Sequence, residues 1–311
     1  TGQSVFIGQD AGLNDNLDTN WNVFVGHEAG MANIGGRGNI AAGYQALASN
    51  VFGFGNTAIG HQALLFNTNG ILNVAVGVHA LTHNETGTSN TAIGREAMFS
   101  NVYGWNNVAL GWSALHSNIS GHSNAAFGSG TLLTSQRGAR NTAIGRDAMR
   151  YHSAGSDNTA VGYLALHNSD SSDFNTAIGV RAMVSTETGS HNVAVGAYAL
   201  NRITRGSDNI SIGNYANQYN DIGNFNTAIG TRTMESNRLG GNNVMVGYET
   251  GHSVSDGSGN TMIGAQAGRG TGGAGVKHGN VFIGFKAGYN EGGSNKLYIE
   301  NSDAGIPLIW G

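Results

Sequence analysis

The sequence predicts an all-β fold, a β-solenoid of seventeen coils of about 17 residues each, and three observations carry that prediction. The first is a glycine, always preceded by an apolar residue, at Gly8, at Gly26, then every 17 residues to Gly264, and finally at Gly284. The second is that the third residue before this anchor is β-branched in sixteen of the seventeen repeats. The third is punctuation: Asn stands four before the anchor in sixteen repeats, and a loop rich in Asn and Gly follows each one. A unit of this length is too short for a helix pair or a propeller blade, while β-branched runs bounded by Asn and Gly read as strands and corners.

Taken in order along one repeat, the segment before the anchor is a short strand, as in Thr57-Ala58-Ile59 or Val74-Ala75-Val76. The anchor is a corner, where glycine supplies backbone angles that other residues avoid. Asn and Gly at fixed positions are expected to provide the remaining left-handed angles, and stacked Asn side chains to hydrogen-bond from coil to coil. Three residues after the anchor comes Ala in fourteen repeats, with Thr131, Thr233 and Thr250 as the exceptions. At roughly 4.8 Å per strand the stack would extend roughly 80 Å. One continuous repeat domain is expected over 1–290, with a junction segment over 291–311.

Composition narrows the functional classes. Glycine supplies 51 of 311 residues and proline one, which excludes collagen and polyproline rods. A formal net charge of −4 gives no basic footprint, so no nucleic-acid partner is expected. No apolar run reaches the roughly 18 residues of a membrane span, so no membrane insertion is expected, and the opening TGQSVFIGQDAG reads as a processed chain. Cysteine is absent, which removes disulfides and thiol chemistry.

Each strand carries three small or apolar residues in succession, so both of its faces are expected to be buried. Thr57 and Ile59 would line the coil interior, together with the threonine column that includes Thr142, Thr159 and Thr176. The alternate face would then be a stripe of alanines, Ala58, Ala75, Ala92, Ala109, Ala126, Ala143, Ala160, Ala177 and Ala194, forming a subunit interface in a parallel homotrimer. The repeats also vary together. Where the alanine becomes Phe6, Phe24, Met245, Met262 or Phe282, the fourth residue after the anchor becomes Gly12, Gly30, Gly251, Gly268 or Gly288, and no other repeat has glycine there. Trading small-plus-large for large-plus-small keeps volume constant, so the two columns share one packed layer. Whether that layer lies within a chain or between chains stays open.

A unit of the form Asn-x-Ala-Ile-Gly-x-x-Ala resembles the head repeats of trimeric autotransporter adhesins, over residues 4–290. That resemblance implies a left-handed parallel β-roll and three chains about a common axis. NTAIG at Asn56–Gly60, Asn90–Gly94, Asn141–Gly145, Asn175–Gly179 and Asn226–Gly230 is also similar to the NTAIGxxAL tract of phage tail-fibre and bacterial surface proteins ending in an endosialidase-type intramolecular chaperone. The closing NKLYIENSDAGIPLIWG resembles the junction after such tracts, and the kinship implies a chaperone removed by cleavage or truncation.

No enzyme signature occurs, and no cofactor or metal is expected. The acids of NSDSSDF, Asp170 and Asp173, read as a solvated loop, and the eleven histidines show no ligand spacing. Aromatic side chains are the strongest hint of binding, because flat rings stack on sugar faces. Tyr103, Trp105 and His122 fall in loops of consecutive coils, while Arg95 and Trp112 share a column one coil apart, where a cation–π pair is expected. The reading is an extracellular receptor-binding module of a virion tail fibre or a bacterial surface adhesin, attaching to cell-surface glycan by multivalent contacts. Alternatives are a purely structural spacer, distinguished by absence of glycan binding, and an ice-binding solenoid, distinguished by thermal hysteresis. A depolymerase would need paired carboxylates roughly 5–10 Å apart, and Glu96 and Asp147 stand three coils apart.

Overall fold

A computed structural model describes residues 3–16, 20–270, 277–301 and 309–310. It forms two compact units, Thr1–Ser156 and Asp157–Gly311. Each is a parallel β-solenoid with one coil per repeat, and no helix occurs among the described residues.

In the first unit nine three-residue strands, β1 (Val5–Ile7) to β9 (Thr142–Ile144), each pair in parallel with the next. The register places equivalent residues opposite one another, Ala58 against Ala75 and Ala75 against Ala92. The second unit repeats the scheme from β10 (Thr159–Val161) through β17 (Val281–Ile283). Beyond the last anchor, β18 (Leu297–Ile299) continues the parallel ladder, and β19 (Ile309–Trp310) pairs with it antiparallel.

The alanine stripe lies inside the coil, which corrects the subunit-interface assignment. Ala58, Ala75, Ala92, Ala109, Ala126, Ala143, Ala160, Ala177 and Ala194 are all 0% exposed in the single chain, so none is available to a second copy. The Leu or Met four residues after the anchor, such as Leu64 and Met98, and the Ala three after it are buried with them. A coil this narrow has room for one large side chain per layer, which is why the inward strand position is alanine. The coupled swaps obey the same limit. A Cβ on Gly12 would stand 2.9 Å from the Phe6 ring, and one on Gly30 2.5 Å from Phe24. The shared layer is therefore within the chain.

The strand's other face is turned outward, again opposite to expectation. Ile59, Ile93 and Ile144 are 42%, 40% and 41% exposed, and Thr57, Thr91 and Thr142 are half-buried beside them. Side chains alternate along a strand, so burying the alanine exposes both of its neighbours.

The Asn columns four before and seven after the anchor form ladders rather than left-handed corners. Asn39 Nδ2 and Asn50 Nδ2 donate to the Gly53 carbonyl at 2.9 and 3.0 Å, and the Asn56 backbone N–H donates to Asn39 Oδ1 at 2.9 Å. The same pattern recurs coil after coil, for example from Asn90 and Asn101 to the Gly104 carbonyl. Positive φ falls elsewhere: on the anchor, as at Gly94 (φ 135), and on positions two and four after it and five before it, as at Glu96, Met98 and Asn106. At Gly94 a Cβ would also stand 2.5 Å from the Gly111 carbonyl oxygen, so the close approach of successive coils demands glycine as much as the angle does.

Candidate functional site: the strand face and two aromatic grooves

Three surfaces collect the side chains with chemistry to offer. The first is the outward strand face, whose two columns run from Val5 and Ile7 to Thr142 and Ile144 in the first unit and from Thr159 and Val161 to Val281 and Ile283 in the second. Not one of these positions carries a charge, and seven threonines are the only polar members. Eight steps of roughly 4.8 Å and about 7 Å between columns give a strip on the order of 270 Å² in the first unit. The strip is partly exposed along its length, and its area lies within the range of the largest apolar patch on an ordinary monomer, so what makes it a candidate association surface is the absence of charge over nine coils.

The second surface holds the aromatic residues expected from sequence. Trp105 and His122 stack at 4.4 Å with their planes 7° apart, and Trp105 stays 44% exposed. Tyr103 is exposed in the same loop. The expected Arg95–Trp112 cation–π pair does not form. Arg95 instead reaches the Glu96 carboxylate at 3.1 Å, because an ion pair with the adjacent residue outcompetes a ring one coil away. Trp112, 59% exposed, lines a hollow of about 270 Å³ with His116, Thr134 and Arg150. Trp105 precedes the strand β7 (Val108–Leu110) and Trp112 follows it, so the five residues form two separate patches rather than one site.

The third surface, in the second unit, was not singled out from sequence. Arg202, Tyr219 and Ser236 occupy the sixth position after successive anchors, and Thr204, Asp221 and Arg238 the eighth. The intervening residues, Ile203, Asn220 and Asn237, are buried, so the two columns stand as the walls of a groove of about 710 Å³. The Arg202 guanidinium lies 5.2 Å from the Tyr219 ring centroid. Reading columns across neighbouring repeats would have brought these residues together; reading each loop separately scatters them over 36 positions.

Donors able to hold a cation also meet across coils: ligand atoms of Asp10, His27 and Glu28 lie within 4.8 Å of one another. Glu28 also accepts a hydrogen bond from Gln45 Nε2 at 2.6 Å. Burial lowers the pKa of His116 from its ordinary value, with Glu96 opposing and His83 reinforcing that shift. Among the described residues no helix is long and apolar enough to cross a membrane. No known family model matches the chain, and no match was found among curated proteins.

Proposed function

We propose that this chain is a non-catalytic module of a phage tail fibre or bacterial surface adhesin, assembling as a parallel homotrimer through its strand face and attaching to cell-surface glycans through exposed aromatic side chains. The observation that carries the reading is the charge-free, mostly β-branched strip, which is partly exposed in the single chain and which a second copy would cover. The repeat's resemblance to trimeric adhesin heads supports three chains. Trp105 on His122 supports sugar stacking, and three copies of a weak contact give avidity well above that of one.

The test is the solution mass of the intact 32.1 kDa chain by light scattering. A mass of three chains is expected, and a monomer at micromolar concentration would overturn the assembly. The outward, half-buried threonines favour a second reading, an ice-binding face, since a ladder of threonines on a sheet can order water. A monomer with thermal hysteresis would establish that reading in place of the first. A trimer that binds no cell or glycan would reduce the module to a spacer.

A further inference from the structure

The groove bounded by Arg202, Tyr219 and Arg238 has an unusual charge balance for a chain whose formal net charge is −4. Neither Arg202 nor Arg238 forms a salt bridge among the described residues. Asp221, the one carboxylate lining the groove, accepts a hydrogen bond from the Thr204 hydroxyl through Oδ1. Glu235, next to the lining residue Ser236, faces Arg232 at 3.7 Å and His252 at 3.2 Å. Two guanidinium groups thus line an open groove with no carboxylate paired to either.

The remaining lining suits a sugar. Tyr219 offers a ring, held on one side by Arg202, while Ser236 one coil further on is too small to cover it. Ser185, Thr204 and Ser236 supply hydroxyls for sugar hydroxyls. From Ser185 to Ser236 the groove spans three coil steps, about 14 Å at the usual strand spacing, which is long enough for several sugar rings. It also lies half a coil, nine residues, from the outward strand face, as Val193 to Arg202 shows, so assembly through that face leaves it open.

We infer that this groove binds an anionic glycan whose carboxylates pair with Arg202 and Arg238 and whose ring stacks on Tyr219. Guanidinium forks match planar carboxylates in two parallel hydrogen bonds, and cations stacked on a ring keep that fork fixed before the ligand arrives. The inference rests on the glycan-attachment reading above and gives it a ligand class and a location.

The experiment is calorimetric binding by the intact chain of three oligosaccharides of equal length: an oligogalacturonate, a neutral homologue and a sulfated one. The oligogalacturonate is expected to bind best, and Arg202→Gln with Arg238→Gln to weaken it by about tenfold or more. Tyr219→Ala should weaken it too, whereas Trp105→Ala should leave it unchanged. Circular dichroism of each variant reports folding, and all these side chains are exposed enough for folding to persist. Preference for the sulfated probe, equal binding of the neutral one, or indifference to the arginine substitutions overturns the inference. If cells still bind through Trp105 in that case, the attachment reading survives; if neither glycan nor cell binds, both fall.

Discussion

At the scale of single residues the coil behaves as a filled volume. Ala92 and Met98 are both fully buried, and they occupy the two columns that exchange size in the terminal repeats. Ala92→Phe alone overpacks the layer and should cost about 1–3 kcal/mol. Met98→Gly alone leaves a cavity, partly offset because φ 50 at that position suits glycine. The double variant reproduces the Phe24/Gly30 arrangement and should recover most of the combined loss in denaturant unfolding. Additive losses would show that the columns do not share a layer. The Asn ladder carries a comparable load. Asn90→Ala removes the acceptor of the Asn107 backbone N–H at 3.0 Å and one of the two donors to the Gly104 carbonyl. Leaving buried polar groups unpaired should cost roughly 2–4 kcal/mol in the same unfolding measurement. The Asn positions and the size exchange were both legible in the sequence, because a periodic chain displays its own covariation. Positive φ at the anchor glycine was legible, but the other left-handed positions were not: Met98 and Leu64 adopt it at the buried fourth position, where propensity argues against them and packing overrides it.

At the scale of the strand, alternation fixes everything once one residue's direction is known. Ile93 is 40% exposed on the outward face of the strand Thr91–Ile93. Ile93→Glu should leave the far-ultraviolet circular dichroism of the chain intact yet drop the light-scattering mass toward a single chain. A persistent assembly would place the contact elsewhere. The loops add a ladder of ring contacts, in which Phe66 meets His83 tilted at 5.3 Å, His83 meets Phe99 edge-on at 4.5 Å and Phe99 stacks on His116 at 5.2 Å. His116 has its pKa lowered chiefly by burial, so the folded chain binds that proton less readily than the unfolded chain does. Its contribution is therefore complete above about pH 6.5 and is lost as the pH falls through the lowered folded value. Thermal unfolding followed from pH 7 to pH 5 should show declining stability, with a shallower decline for His116→Gln. An unchanged slope in that variant would assign the decline to other groups.

At the scale of the whole molecule, repetition determined most of what the sequence could say. Seventeen glycine anchors, β-branched strands and Asn columns fix an all-β solenoid with equivalent residues in register, because each coil can satisfy its backbone only by pairing with the next. The sequence could not decide which strand face is inside, since Thr-Ala-Ile is apolar on both sides. The tertiary structure decided it by volume: the narrow coil accepts alanine opposite Leu64 or Met98 and has no space for Ile59 or Ile93, so the larger side chains go outward. The Arg202, Tyr219 and Arg238 groove likewise exists only after folding, because residues 36 positions apart in the chain become near neighbours when the coils stack.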